Sequence, residues 1–240
     1  MSKSRPQVRR PVQVAVASLL LAGGLSGSLT GCGVAGTSFQ PGVAARVGDD
    51  TISVREVDSL AGSYCSSIEK QLGANNQVVP QHYLRGGVVG QLALVSAARQ
   101  LAEQYGVQPG ADYTRKVADL RDAVADLPAE QAQAVVEVES SSAYLQSVVT
   151  AIGRKELQQQ DAAASGSDAA GSAGKKVFSR WLDDHDVRID PQFGVRISQG
   201  QTVPTDGSLS YAVSDTAKQG DSAQPDQQYA ASLPDALRCG

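Results

Sequence analysis

Apolar residues recur every three to four positions between residues 53 and 159, which predicts four successive amphipathic helices. Ser53 and Glu56 have the spacing of a capping box and predict the start of the first helix. The four apolar stripes are Val54, Val57, Ala61, Tyr64, Ile68 and Leu72; Leu84, Val88, Leu92, Val95, Ala98, Ala102 and Tyr105; Tyr113, Val117, Leu120, Val124 and Leu127; and Val135, Val138, Leu145, Val149 and Ile152.

The second helix is apolar beyond its stripe, so we expect it to be central and to end at Gly106, a favoured C-terminal residue. Gly86, Gly87 and Gly90 would let a neighbouring backbone approach it closely. Pro128 suits the start of the fourth helix. That helix would be roughly 45 Å long at ~1.5 Å per residue if it is continuous to about residue 159.

Short strands are predicted on both sides of this helical region. Residues 44–47, a Gly-Asp turn and residues 51–52 read as a hairpin, and residues 187–189 alternate like a strand. Residues 161–174 have the Ala, Gly, Ser and Asp composition of a flexible linker. A short helix should follow from Lys175, and residues 195–240 are predicted to be a polar, largely disordered tail.

Phe178 and Trp181 fall on one face of that short helix, together with Val177 and Leu182. A stripe of this kind is typical of a protein core. A contact with a bound client protein in an apolar groove is the alternative function for Phe178 and Trp181.

The N-terminus has the pattern of a bacterial lipoprotein signal. Four basic residues precede an apolar segment, and Leu29-Thr30-Gly31-Cys32 follows it. We expect cleavage between Gly31 and Cys32, acylation of the Cys32 thiol, and a mature protein held on the extracytoplasmic face of the cell membrane. Residues 1–31 would then be the signal peptide and 32–42 a tether. A buried structural cysteine is the alternative for Cys32.

The net charge bears on the class of binding partner, and the cysteine content bears on disulfide formation. The leader carries four of the 21 basic residues and none of the 25 acidic ones, so the chain from Cys32 onward has 17 basic and 25 acidic residues, a net charge of −8. That balance argues against nucleic acid, which binds clustered Lys and Arg. Cys65 and Cys239 would remain in an oxidising compartment, where they either form a disulfide or stay as two unrelated thiols.

The sequence contains no catalytic or cofactor-binding motif in the structural context that such a motif requires. Residues 31–36 match a dinucleotide-binding glycine pattern but lie at the expected cleavage site, without the strand and helix that such a site needs. Residues 183–186, Asp-Asp-His-Asp, are a cluster of metal-ligand types. Consecutive helical residues point in different directions, so a solvated helix end is favoured over a metal site. We therefore expect no enzyme activity, cofactor or metal.

One family shares this order of elements. The start Ile52-Ser53-x-x-Glu56-Val57 after a Gly-Asp turn, three further helices, and a last helix leading into residues 187–194, Val-Arg-Ile-Asp-Pro-Gln-Phe-Gly, resemble the SurA-type chaperone domain. The resemblance covers residues 43–194 and implies a mainly α fold with a very small β element joining the N-terminal strand and a C-terminal strand. Many members carry a prolyl isomerase domain where this chain has only residues 161–174.

The resemblance implies an extracytoplasmic holdase that binds unfolded or exported polypeptides without isomerase activity. A module that binds one specific envelope partner is the alternative. No client-binding residue can be carried over, because the family has no short signature for that half of its function.

Overall fold

The computed structural model describes residues 41–160, 166–205, 214–220, 222 and 226–240. The predicted signal at residues 1–31, the cleavage and acylation site at Gly31 and Cys32, and most of the tether lie outside them. The described chain is mainly helical, as predicted. Its elements are β1 Val43–Val47, β2 Asp50–Ser53, α1 Val54–Ala74, β3 Val79–Pro80, α2 Gln81–Tyr105, α3 Ala111–Ala123, α4 Ala129–Gln159, α5 Ser167–Asp184, β4 Val187–Ile189, β5 Val195–Ser198, β6 Gln201–Pro204, α6 Asp215–Gly220, α7 Gln227–Ser232 and β7 Arg238–Cys239, with 3₁₀ turns at Pro191–Phe193 and Asp235–Leu237.

A small sheet joins the two ends of the helical region. β1 pairs with β2 across a two-residue turn in which Gly48 has a φ of 53°, and β1 also pairs antiparallel with β4, so the strand order is β2-β1-β4. The predicted β element that brings an N-terminal and a C-terminal strand together is therefore confirmed. The predicted capping box opens α1: Glu56 N–H donates to Ser53 Oγ over 3.1 Å, and Ser53 N–H donates to the Glu56 carboxylate over 3.5 Å.

α2 is the central helix, as its apolar content predicts, and it ends at Gly106 in the left-handed conformation, with a φ of 58°. A Cβ at Gly86 would lie 2.9 Å from the carbonyl oxygen of Phe193, so the predicted close approach of a backbone is confirmed there, whereas Gly90 packs against the side chain of Thr202. The prediction is wrong for Gly87, which is exposed and has no neighbour within 4 Å of a Cβ position.

The linker prediction is wrong from residue 167 onward, because α5 begins at Ser167 and not near Lys175. Its first turns lie directly on α4: a Cβ at Gly153 would lie 2.6 Å from the backbone nitrogen of Gly174, and Ala170 is completely buried. The small side chains that suggested flexibility instead let two helix backbones pack in close contact. Residues 161–165 lie outside the described part of the chain.

The prediction of a disordered tail is also wrong over its described residues. β5 and β6 form a hairpin through Gln199 and Gly200, both with positive φ, and Val195 and Ile197 pack against the core. Such a two-residue turn fits the twist of a hairpin. Further on, β7 pairs with β3, which holds the last residues of the chain against α1 and α2.

The predicted disulfide between Cys65 and Cys239 is present, with 5.6 Å between the two Cα atoms. Cys239 is 1% exposed and Cys65 is 9% exposed. The bridge links β7 to α1 and closes a loop of 174 residues. The C-terminus is thereby fixed to the helical body.

Candidate functional site

The helical body is open between α2, α3 and α4. α3 packs on α4 and barely touches α2, and no residue within α3 is buried. Val124, directly after α3, packs into the helical body and has 9% of its surface exposed. The apolar stripe of α3 consequently faces a groove.

This groove, which we call the α3 groove, has a volume of about 1050 Å³. Ligand cavities usually span ~300–1,000 Å³, so the groove is at the upper end of that range. Its apolar lining comes from three helices, from β2 and from the segment that follows α3. It includes Ile52 from β2, Leu92 and Val95 from α2, Tyr113 and Val117 from α3, Val124 and Leu127 after α3, and Ala132, Val136 and Tyr144 from α4.

Three small polar residues form the deepest part of the groove: Ser96, Ser140 and Ser141 are 5%, 6% and 8% exposed. Ser96 Oγ donates to Asp50 Oδ2 over 2.6 Å, and Ser141 Oγ donates to the backbone carbonyl of Glu137 over 2.6 Å. Both hydroxyls are thus satisfied within the protein. Because serine is small, it leaves space in which larger apolar side chains of a ligand can be accommodated.

An aromatic pair stands at the α3 side of the groove. The rings of Tyr113 and Tyr144 lie 5.3 Å apart at an angle of 71°, an edge-to-face contact between α3 and α4. Burial raises the pKa of the Tyr144 hydroxyl, an effect that the nearby Arg99 guanidinium partly offsets. Tyr144 is therefore a neutral, amphipathic contact surface at neutral pH.

The rim carries charges of both signs. Asp50, Glu56 and Glu137 are acidic, and Arg99 and Arg121 are basic. Burial and then the negative charge of Glu56 raise the pKa of the Glu137 carboxyl, and Arg99 acts in the opposite direction. Glu56 and Glu137 thus form an acidic pair, which we call the acidic rim, where α1 begins beside α4.

The hairpin side of the groove is held firmly. Gln100 Nε2 donates to the carbonyl oxygen of Val47 over 2.7 Å, and Ser96 reaches Asp50 of β2 as described above. The β1–β2 hairpin is therefore held to α2 by two side chains one helical turn apart, Gln100 on β1 and Ser96 on β2. The floor and the β2 side of the groove are preorganised.

A second cavity of about 300 Å³ lies between α1, α2 and α4. Tyr64 donates a hydrogen bond to Glu139 there, and burial, followed by this contact, raises the pKa of Tyr64. Tyr83 Oη and Gln91 Oε1 line the same space without a partner among the described residues. A small polar guest such as water suits this lining, so the cavity is a poor candidate for binding apolar segments.

The structure places the remaining predicted site residues away from the groove. Phe178 and Trp181 are 3% and 5% exposed and belong to the core, so they offer no surface to a client. The Trp181 ring stacks on His185 at 3.9 Å, and His185 Nδ1 lies 2.8 Å from the carbonyl oxygen of Trp181. In the described ranges no three His, Cys, Asp or Glu side chains come together as a metal site would require.

The apolar periodicity predicts the stripe on α3 but does not predict that the stripe is exposed. Tyr113 and Val117 belong to this predicted stripe, and the structure leaves them partly exposed at the groove surface. The one available signal was the composition of α3, in which polar residues surround a narrow apolar stripe. Such a stripe does not reveal which neighbour covers it.

No family model, no curated protein and no solved structure matches the chain. None of the helices in the described residues is long and apolar enough to cross a membrane. What the protein binds must therefore be inferred from its own residues.

Proposed function

We propose that the mature protein is a membrane-anchored, extracytoplasmic holdase whose α3 groove binds extended apolar segments of unfolded or exported polypeptides. The observation that carries this proposal is the α3 groove itself, a wide depression with an apolar lining and a charged rim that remains open beside an amphipathic helix with no buried residue. Clefts of this volume that combine apolar side chains with a small number of polar groups commonly serve as binding sites.

The resemblance to the SurA-type chaperone domain gives independent support. In that family N-terminal helices assemble with a distant C-terminal helix and strand, and the pairing of β1 with β4 is consistent with such an arrangement. Only residues 160–166 separate α4 from α5, where many members insert an isomerase domain. A folded domain needs ~50 residues or more, so the proposed activity includes no prolyl isomerisation.

Binding in the groove should be broad and of moderate strength. Apolar contacts are not directional, so the apolar part of the lining does not select one client sequence. We expect dissociation constants near the micromolar range, about −8 kcal/mol.

The test measures light scattering from several unrelated aggregating clients, with and without the mature protein. Val117→Asp places a charge in the groove and should abolish suppression, whereas Ala118→Asp adds the same charge at the neighbouring exposed position and should not. Neither change removes a buried residue, and circular dichroism would verify that both variants fold.

Three results would contradict parts of the proposal. Equal suppression by both variants would exclude the α3 groove as the binding site. Absence of suppression for every client, combined with tight capture of one envelope protein, would favour the alternative of a dedicated interaction module. Acceleration of proline-limited refolding would contradict the absence of isomerase activity.

A further inference from the structure

Among the described residues, no strand pairs with the edge of β2 that borders the α3 groove. The strand order β2-β1-β4 leaves β2 at one side of its sheet, and Asp50, Thr51 and Ile52 of β2 line the groove. A free edge and an adjoining apolar groove are the two components by which sheets recognise extended peptides: backbone hydrogen bonds provide affinity and pockets receive alternate side chains.

Register identifies the residue that offers these hydrogen bonds. Val47 pairs with Asp50 across a two-residue turn, the position of a hydrogen-bonded pair in such hairpins. The next pair, Arg46 with Thr51, is consequently of the non-hydrogen-bonded kind. The N–H and C=O of Thr51 therefore point away from β1 towards the free edge, and Thr51 is exposed.

The edge is short. Ser53 N–H is already bonded to the Glu56 carboxylate in the capping box. An added strand can thus pair fully with Thr51, but it meets an occupied donor two residues further along. Most of the contact of a bound segment must come from side chains in the groove.

The acidic rim specifies the charge of the occupant. Glu56 follows the end of β2 by three residues, and Glu137 lies across from it on α4. Two neighbouring carboxylates repel each other, and a cation between them relieves that repulsion. Arg99 lies on the α2 side and opposes the raised pKa of Glu137, yet both carboxylates still line the open groove.

We infer that the occupant of the α3 groove is an extended polypeptide segment that adds as a short antiparallel or parallel strand to Thr51, directs alternate apolar side chains into the groove, and places a Lys or Arg at the acidic rim. This inference rests on the proposed function and deepens it by naming the recognition mode and the client class. The clients are exported segments in which apolar alternation is interrupted by a basic residue.

The test uses fluorescein-labelled peptides of about eight residues that alternate Val or Leu with Thr and carry one central Lys. Binding is measured by fluorescence anisotropy to the mature protein. Each peptide amide is N-methylated in turn, which removes a donor without changing the protein. We expect roughly fivefold weaker binding at the position that pairs with Thr51 and little change at its two neighbours, because a hydrogen bond contributes about 1 kcal/mol net.

A second set of binding measurements tests the predicted basic residue of the bound segment. Replacing the central Lys by Gln should weaken binding to the wild type at least threefold, and Glu137→Gln or Glu56→Gln should remove that difference. Gln retains the capping-box acceptor, so Glu56→Gln changes the charge and preserves the helix start. Glu69→Gln is the matched control, because Glu69 is an exposed residue of α1 outside the groove lining.

The outcomes separate the two levels of inference. A flat N-methyl scan with preserved, Val117-dependent binding would overturn strand addition and leave the holdase proposal intact. Equal affinity for the Lys and Gln peptides in the wild type would overturn the role of the acidic rim. Absence of binding to every peptide, together with absence of aggregation suppression, would overturn the proposed function itself.

Discussion

Gly174→Ala tests whether the start of α5 is a packed helix or a linker. A Cβ at Gly174 would lie 2.7 Å from the carbonyl carbon of Val149 and closer still to its oxygen, so the α4 backbone would have to move. Overpacking of this kind costs about 1–3 kcal/mol and occasionally more. Alanine offsets about 1 kcal/mol of that through its higher helix propensity.

Because the clash is with backbone atoms, the cost should lie in the upper part of this range, about 2–3 kcal/mol, and the net expectation is a loss of about 1–2 kcal/mol in the free energy of unfolding. At about 2–4 °C per kcal/mol for a chain of this size, the melting temperature should fall by about 2–8 °C. Gly171→Ala is the matched control three residues earlier on the same helix, where no atom lies within 4 Å of a Cβ position. That variant keeps the propensity gain and should be stabilised by up to about 1 kcal/mol.

Thermal and urea unfolding of the two variants, followed by far-ultraviolet circular dichroism, gives the comparison directly. In a flexible linker the two glycines are equivalent, so the two substitutions would have the same small effect. Equal stability of Gly174→Ala and Gly171→Ala would therefore refute the close packing of α5 on α4.

Three further predictions concern the disulfide, the anchor and the acidic rim. Reduction of Cys65–Cys239 should lower the free energy of unfolding by up to about 5 kcal/mol. A double serine variant should show the same loss and should not respond to reductant. Free thiols at both positions in peptide maps of the unreduced protein would contradict the disulfide. Cys32→Ala should leave an unprocessed precursor without label from a radiolabelled fatty acid, and undiminished labelling would exclude Cys32 as the anchor. Because the folded-state pKa of Glu137 is raised, the wild type should lose stability relative to Glu137→Gln as pH rises from about 4.5 towards neutrality; parallel pH profiles of urea unfolding would contradict that sign.

Local signals predicted much of the fold correctly. The capping box at Ser53 and Glu56, the left-handed Gly106 and the period of α4 each depend on neighbouring residues, and each is confirmed. The pairing of β1 with β4 joins residues more than a hundred positions apart, and alternation alone could not have matched them. The family resemblance supplied that pairing.

The errors share a physical cause. Small residues are compatible with either a flexible linker or a close helix–helix contact, so composition cannot distinguish the two. The difference lies on α4, where the backbone at Val149 and Gly153 is in close contact with α5. The sequence did not predict the short β5–β6 hairpin for a related reason. Val195 and Ile197 stabilise it by packing β5 on α2, and the local polar composition does not show this contact. In both cases the partner element determined the structure.

The open state of the α3 groove has a similar explanation in its charges. If α3 tilted onto α2, Tyr113 and Val117 would be buried, and burial of apolar side chains is favourable by about 1.5–3 kcal/mol each. The same movement would enclose Arg99, Arg121 and the acidic rim, whose loss of hydration costs several kcal/mol per ion unless their pairing is close. Burial raises the pKa of the Glu137 carboxyl in the open groove, the direction expected when a carboxylate loses hydration. The charged rim therefore opposes collapse of the groove, and under the proposed function the same carboxylates would favour a basic client.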